Sequence, residues 1–198
     1  MDDAHWTGVI SKLRSELVEI MGSGEIRAMA EHIRDAIFQL DAPMSRYCEI
    51  TCPSCDDVCC HWNEVFYNRT DVIYMIAAGI EIPSGQTRTT PHQACRYLSQ
   101  NGCKLPRACR PYVCVWFLCD AQMEIFREEP ALFQRDFISL LQMIRQYRLS
   151  LESLYESHFP MGGLWPPHPE SSESIRPRNS KRYSLLSGRS PCGPFRRR

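Results

Sequence analysis

The sequence has no run of about 18 apolar residues, the length that a membrane-spanning helix needs. Its first residues, M-D-D-A-H-W-T-G, contain no basic start, no apolar segment and no small-residue cleavage site, so we expect no secretory signal. These absences predict a cytoplasmic protein with no membrane partner. Because disulfides are rare in the reducing cytosol, the cysteines of this chain are expected to remain thiols.

The chain also lacks the fingerprints of several enzyme classes. It contains no phosphate-binding loop and no dinucleotide-binding motif. We find no Ser/His/Asp or Cys/His set that would support nucleophilic catalysis. The sequence therefore assigns no catalytic residue, and it leaves open whether the protein is an enzyme.

Cysteine, in contrast, is abundant. Ten of the eleven cysteines lie in two blocks, over residues 48–60 and residues 95–119. Such a density indicates a metal site or a disulfide framework, and a reducing compartment favours metal. Disulfides and metal-free redox thiols remain the alternatives. The eleventh cysteine, Cys192, is isolated and is not expected to be a ligand.

Thiolate ligands suit either zinc or an iron–sulfur cluster, and each such centre takes four of them. Cys52 and Cys55 form a C-x-x-C chelate, and ten cysteines exceed one site and could fill two. Cys59 and Cys60 are adjacent, and adjacent side chains in extended backbone point to opposite sides. We therefore expect these two to face different sites, or only one of them to bind metal. His61 could replace a thiolate, but the thiols are numerous enough without it.

Four motifs follow one another through this region: C-x2-C-x3-C-C, C-x-Y-L, G-C-x-L-P and R-P-x-x-C-x-x-F-x-C. In this order they resemble the YkgJ family of bacterial cysteine-cluster proteins, which is described as a zinc- or iron-chelating domain and often as Fe–S-cluster-containing. The resemblance covers roughly residues 45–125. It is carried by Cys52, Cys55, Cys59, Cys60, Cys95, Tyr97, Leu98, Gly102, Cys103, Arg110, Pro111, Cys114, Phe117 and Cys119.

The spacing and the resemblance together predict a protein that holds an iron–sulfur cluster or zinc. The expected ligands are Cys52, Cys55, Cys59, Cys60, Cys95, Cys103, Cys114 and Cys119. Cys48 and Cys109 fit the pattern less well and are treated as extra. One related branch resembles flagellin lysine methylases, so one alternative is an enzyme that uses the cluster, by redox chemistry or as a lysine methylase. Another is a zinc-stabilised module that binds a protein or a nucleic acid.

A guanidinium is expected beside the thiolates. Four thiolates around one divalent ion leave a net charge of about −2, which a nearby arginine can offset while it donates hydrogen bonds. Arg110 is our candidate, because Pro111 restricts it to extended geometry next to Cys114. The apolar residues Trp116 to Leu118 are expected either to exclude water from the site or to pack in the core.

Two apolar stripes precede the cysteines and predict a helical hairpin over residues 1–43. The first comprises Trp6, Ile10, Leu13, Leu17 and Ile20, and the second comprises Ile26, Ala30, Ile33, Ile37 and Leu40. Gly22-Ser23-Gly24 is expected to separate the helices, and Asp41-Ala42-Pro43 to end the second.

Further helices are predicted inside and after the cysteine-cluster module of residues 44–125. Thr70 to Ala78 indicates a short helix closed by Gly79, in which Asp71 is a helix-start residue rather than a catalytic acid. A heptad stripe predicts a long helix over residues 126–160 that packs on the hairpin. The stripe comprises Phe133, Phe137, Leu140, Ile144, Tyr147, Leu151 and Leu154.

The formal net charge of zero is unevenly distributed. From Pro166 onward, eight Lys and Arg residues stand against two acids, so this segment carries +6 and the rest of the chain −6. Residues 161–198 are predicted to form a disordered basic tail, and they lack the aromatic platform expected of a nucleic-acid binder.

The whole protein is expected to be mostly α, with a cysteine-cluster module of loops and short helices packed on a small helical bundle. A protein partner is not identified.

Overall fold

The computed structural model describes residues 3–20, 22, 24–55, 60, 66–85, 93–100 and 102–160. Over these residues the fold is mostly α, as predicted, with six α-helices and one two-stranded sheet. The predicted tail, Cys59, His61 and Cys192 lie outside the described residues. In the described part of the chain, no helix has both the length and the apolar character that crossing a membrane would need.

The two N-terminal helices form as the stripes predict. Helix α1 spans Asp3–Ile20 and α2 spans Glu25–Thr51. Every residue of both predicted stripes is buried, so each helix turns its apolar face to the core. Gly24 precedes α2 with a φ of 72°, a left-handed conformation that glycine adopts without steric strain.

The prediction that Asp41-Ala42-Pro43 ends the second helix is wrong. Helix α2 continues beyond the proline and carries Cys48 near its C-terminal end. A proline inside a helix costs about 3 kcal/mol, because it removes a hydrogen bond and crowds the preceding turn. Beyond it, Met44 and Tyr47 are only 2 % and 0 % exposed, and fully burying such side chains contributes roughly 1.5–3 kcal/mol each. Burial therefore offsets the cost, and the first cysteine lies on a rigid helix rather than in a loop.

Helix α3 spans Arg69–Ala77 and begins as predicted. The side chain of Asn68 accepts a hydrogen bond from the N–H of Asp71 at 2.8 Å, and the Asp71 carboxylate accepts one from the N–H of Asn68 at 2.9 Å. This reciprocal capping confirms Asp71 as a helix-start residue. Gly79 follows the helix with a φ of 66°, as expected of a C-terminal glycine.

A small β-hairpin and three more helices complete the described fold. Strand β1 (Leu98–Ser99) pairs antiparallel with β2 (Gly102–Cys103), which places Leu98 opposite Cys103. The helices are α4 (Tyr112–Trp116), α5 (Asp120–Glu128) and α6 (Ala131–His158). One apolar core joins the long helices, and α6 makes its most extensive contact with α2.

The heptad stripe predicted for α6 is correct at three of its seven positions. Phe137, Ile144 and Leu151 are buried as predicted. The other buried residues of the helix are Leu141, Arg148 and Tyr155, whereas the predicted Phe133, Leu140, Tyr147 and Leu154 are only partly buried. Helix α6 packs against α3 as well as α2, so its buried face is wider than a two-helix seam.

Candidate metal centre

Seven of the eight predicted ligands lie in the described part of the chain; Cys59 does not. All nine described cysteines are thiols rather than halves of disulfides. Eight of them fall into two groups of neighbouring thiols. The α2 thiol group comprises Cys48, Cys52, Cys55 and Cys119. The β-hairpin thiol group comprises Cys60, Cys95, Cys103 and Cys114.

The α2 thiol group is built on the C-terminal end of α2. Cys48 and Cys52 are one helical turn apart, so their side chains share a face, and a hydrogen bond joins their thiols. A 3₁₀ turn over Cys52–Ser54 then reverses the chain, with the N–H of Cys55 donating to the carbonyl of Cys52 at 3.3 Å. The first block therefore presents three thiols at one helix end.

Gln122 joins this helix end to the second cysteine block. Its side-chain amide donates to Sγ of Cys48 at 3.5 Å, and its amide oxygen accepts from the N–H of Cys119 at 3.3 Å. Cys119 caps the N-terminus of α5, and its thiol is an electrostatic neighbour of Cys52 and Cys55. A thiol from the second block thus completes a set of four.

The first two thiols differ sharply in acidity. The pKa of Cys48 is lowered to about 6, first by the hydrogen bond with Cys52 and then, against the effect of burial, by the charge of Arg107 and a hydrogen bond from Gln122. The same hydrogen bond with Cys48 raises the pKa of Cys52, and burial raises it further. The contact between the two thiols thus favours the thiolate form of Cys48, which is the form that binds metal, and the protonated form of Cys52.

The β-hairpin thiol group is held together by backbone hydrogen bonds. The N–H of Leu98 donates to the carbonyl of Cys95 at 2.9 Å, and Leu98 pairs with Cys103 across the strands. The N–H of Cys95 donates to the carbonyl of Cys60, also at 2.9 Å. These bonds bring the last cysteine of the first block beside two cysteines of the second.

Cys114, on α4, completes the β-hairpin thiol group. Burial raises the pKa of its thiol, and the charges of Cys60, Cys103 and Cys95 raise it further. Burial also raises the pKa of Cys103, with Cys60 and Cys95 acting in the same direction. Thiolates this close repel one another, so the group can carry several negative charges only beside a source of positive charge.

Arg107 supplies a positive charge between the two groups. Its Nη1 donates to the carbonyl of Cys114 at 3.5 Å, its Nε pairs with Asp41 at 3.0 Å, and its charge lowers the pKa of Cys48. The residue is only 3 % exposed. Its Nη2 has no hydrogen-bond partner among the described residues. Because a buried charge is costly unless it is offset, Arg107 is suited to neutralising thiolates on either side.

Sequence analysis selected Arg110 for this role and missed Arg107. Nε of Arg110 donates to the carbonyl of Leu105 at 2.9 Å. Its charge lowers the pKa of both Cys103 and Cys114, in opposition to burial. Arg110 also lowers the pKa of Cys48, and Arg107 donates to the carbonyl of Cys114, so each arginine acts on both thiol groups. The sequence R-A-C-R inside the second block was the available signal for both arginines.

A buried ion pair fixes the helix that carries Cys114. Asp71 accepts hydrogen bonds from Nη1 of Arg148 at 2.8 Å and from the N–H of Tyr112 at 3.2 Å. The Arg148 guanidinium lies over the Tyr112 ring, 4.2 Å from its centre. Helices α3, α4 and α6 therefore meet at Asp71, close to Cys114. Sequence analysis identified Asp71 as a capping residue but not as the centre of this junction.

Cys109 is assigned to neither thiol group, and its neighbours are Tyr67 and Glu81. Its carbonyl accepts a hydrogen bond from the hydroxyl of buried Tyr67 at 2.7 Å. Burial raises the pKa of its thiol, and the charge of Glu81 adds to this. Sequence analysis treated both Cys48 and Cys109 as extra cysteines. Unlike Cys109, Cys48 belongs to the α2 thiol group.

Neither group is a closed coordination sphere. Among the described residues, no three His, Cys, Asp or Glu side chains converge closely enough to hold a metal ion together. The two groups are thus neighbourhoods of thiols, each fixed by helix ends, backbone hydrogen bonds and buried arginines.

Comparison with protein-family models, with curated proteins and with solved structures gave no match to this chain. Function is therefore inferred from the residues and their surroundings.

Proposed function

We propose that this protein binds metal through its two cysteine blocks, as an iron–sulfur cluster or as zinc. The observation that carries the proposal is the grouping of the thiols, because cysteines distant in sequence are electrostatic neighbours and buried Arg107 acts on both Cys48 and Cys114. Packing alone does not account for so many half-buried thiols in one region. Thiolates are soft ligands that select zinc and iron–sulfur clusters.

The state of the thiols supports the same proposal. All nine described cysteines are reduced, and reduced cysteines at short spacings more often bind metal than serve another purpose. The resemblance to the YkgJ family would give the same chemistry. A cytoplasmic location belongs to the proposal, because thiols at this density remain reduced there.

Metal analysis of the full chain, purified without oxygen, tests the proposal. Brown protein with stoichiometric iron and acid-labile sulfide would support an iron–sulfur protein, and colourless protein with stoichiometric zinc would support a zinc protein. Protein that contains neither in stoichiometric amount would contradict the proposal. The matched control is Cys109→Ser, which removes a cysteine outside both groups and should leave the metal content unchanged.

A further inference from the structure

We propose that helix α6 carries a surface that binds a second copy of this chain, so that two α6 helices pack antiparallel about a two-fold axis. The surface, which we call the outer face, lies on the side of α6 away from its buried residues. It comprises Ser139, Met143, Gln146, Ser150, Ser153 and Ser157. These residues alternate in steps of four and three, so they form one row along about 27 Å of helix. The proposal involves none of the cysteines and goes beyond metal binding.

The outer face is exposed and carries no charge. Ser150 is half-buried and the other five residues are exposed, with Met143 at 44 %. Leu149, at the edge of the face, is 51 % exposed. The charged residues of the same stretch lie on other sides of the helix; they are Arg145, Arg148, Glu152 and Glu156. A helix face that borders water usually carries charges, whereas depletion of charge is typical of the core of a protein interface. The outer face is therefore suited to contact with a protein.

The C-terminal half of the outer face borders an open groove of about 510 Å³. Its lining includes Gln146, Leu149 and the three serines of this half, and Glu25 at the start of α2 closes one side. Serine side chains are short, so a larger side chain from a partner can enter between them. Large and small side chains at facing positions interdigitate in well-packed helix pairs.

The serines at the two ends of the outer face can be covered at little cost. The hydroxyl of Ser139 donates to the carbonyl of Arg135 at 2.9 Å, and that of Ser157 donates to the carbonyl of Leu154 at 2.7 Å. Burying a polar group is costly chiefly when it loses its hydrogen bond. Since both hydroxyls donate within their own helix, a partner can cover them without leaving a donor unsatisfied.

The distribution of large and small side chains favours a second copy as the partner. Met143 lies in the N-terminal half of the outer face, and the groove lies in the C-terminal half. A two-fold axis at Gln146 places Met143 of each copy opposite Leu149 and Ser150 of the other. Each methionine then enters the groove of the second copy, and the same contact occurs twice, as a two-fold interface requires.

The charges at the two ends of the face favour the antiparallel direction. By helical periodicity, Arg135 and Glu156 lie on one flank of the face, and Asp136 and His158 lie on the other. An antiparallel pair brings each flank against the same flank of the second copy, so Arg135 approaches Glu156 and Asp136 approaches His158. Glu156 pairs with Arg69 in its own chain, but its side chain remains 54 % exposed. A parallel pair would instead place like charges together, and flanking charges set the orientation of paired helices.

Sedimentation equilibrium of the full chain, purified without oxygen and kept reduced, tests the proposal. Five helical turns make a small interface, and small interfaces form weak complexes, so the chain should pass from monomer to dimer between micromolar and millimolar concentration. Gln146→Glu and Gln146→Lys should each weaken the dimer by about tenfold or more, because like charges then meet at the two-fold axis. An equimolar mixture of the two variants should restore association. The control is Phe38→Glu, because Phe38 is 81 % exposed on α2, outside the face, and this variant should associate as wild type does.

Two results would overturn the second copy as the occupant of the outer face. One is a wild-type chain that stays monomeric at millimolar concentration; if the chain ending at Pro160 then dimerises, residues 161–198 cover the face instead. The other is equal weakening by Phe38→Glu and Gln146→Glu, which would place the association on another surface. Circular dichroism checks that each variant keeps its helix content. Met143→Glu, also at an exposed position, replaces any Gln146 variant that does not.

A charge exchange tests the antiparallel direction. Arg135→Glu and Glu156→Lys should each weaken the dimer several-fold, because each places like charges near one another across the pair. The double variant Arg135→Glu/Glu156→Lys should restore association, since the opposite charges meet again. Arg69 keeps a second partner, Glu152, in the Glu156 variants. In a parallel pair each residue would face its own copy, so single variants that associate as wild type does, or a double variant no better than the singles, would overturn the antiparallel arrangement.

Discussion

The helical frame, formed by α1, α2, α3 and α6, and the cysteine region, residues 93–119, are stabilised by different means. Side chains of the frame such as Leu17, Ile33 and Leu141 are fully buried in one apolar core. In the described part of the cysteine region, the buried apolar residues are Val115 and Leu118. Apolar burial therefore suffices for the frame, whereas the cysteine region depends on hydrogen bonds, ion pairs and, under the proposal, metal.

Buried polar side chains lie where the two regions join. Arg107, within the second block, contacts Cys114, and Gln122, just after the block, contacts Cys119. Asp71 and Arg148 attach α4 to the frame. A buried polar group contributes to stability only when its partner is present. Removing one polar partner at the junction should therefore reduce stability more than shortening an apolar side chain of the frame by one methyl group.

Metal removal should produce the largest difference between the two regions. Structural thiolate sites can contribute about 10–16 kcal/mol to folding, and the cysteine region has little apolar core to replace that. Chelation or oxidation of native protein should increase protease cleavage within residues 93–119, while α1 and α6 are cut more slowly. Mass mapping of the fragments is the measurement. Unchanged cleavage after complete metal loss would show that the cysteine region is stable without metal.

Removing one partner at the junction should have the next largest effect. Arg148→Ala leaves the Asp71 carboxylate buried without its counter-ion, and breaking a buried pair costs about 3–5 kcal/mol. Urea unfolding measures the loss. The control is Arg135→Ala, because Arg135 pairs with Asp136 on the exposed surface of the same helix and such pairs contribute about 0–1 kcal/mol. Equal losses in the two variants would contradict the importance of the junction.

A cavity in the frame should cost somewhat less and should leave the cysteines unaffected. Leu17→Ala removes a fully buried side chain, which costs about 2–5 kcal/mol. Val18→Ala is the control, because Val18 is 73 % exposed and its truncation removes little packing. Folded Leu17→Ala protein should hold the wild-type amount of metal, so metal analysis beside urea unfolding separates the regions. A parallel loss of metal and stability would mean that they unfold as one unit.

Arg107→Met should change stability without metal and retention of metal in opposite directions. It removes a buried charge whose Nη2 has no partner in the described part of the chain, and the carboxylate it leaves behind, that of Asp41, is half exposed. Removing one partner of a buried ion pair costs about 3–5 kcal/mol when the other charge stays buried, but the Asp41 carboxylate is half exposed and remains in contact with water. Stability without metal should therefore be unchanged or higher, while metal is lost faster to a chelator because the thiolates lose their counter-charge. Slower loss would contradict the role of Arg107.

The sequence was informative about the frame because apolar periodicity reports directly on burial. Both N-terminal stripes are buried in full, and Asp71 and Gly79 mark the ends of their helix. The errors have a common origin. Both Pro43 and the inner face of α6 depend on tertiary packing, because burial of Met44 and Tyr47 outweighs the cost of the proline and contact with α3 widens the buried face of α6. Local pattern carries no information about these partners.

The cysteines of the candidate site could be predicted from the sequence, but the polar side chains that contact them could not. Cysteine spacing identified both blocks, and Cys52 and Cys114 each have an electrostatic neighbour in the other block. Arg107 and Gln122 look like ordinary polar residues in a sequence, because their role depends on burial. Cys48 was set aside because a family pattern omits it, and only the continuation of α2 past Pro43 places it beside Cys52.

The smallest effect is expected from removing the segment that begins at Pro166. It has few apolar residues and a net charge of +6, so it has little to bury. Its deletion should change stability by less than about 0.5 kcal/mol, or roughly 1–2 °C in melting temperature for a chain of this length, with unchanged metal content. The matched control is a deletion from Phe159 onward, which also removes a ring that packs on buried Tyr155 at 5.2 Å. That longer deletion should lower the melting temperature measurably. An equal loss of stability in the shorter deletion would mean that the basic tail binds to the acidic body of the protein. The tail would then stabilise the fold in addition to the apolar core of the frame and the contacts of the cysteine region.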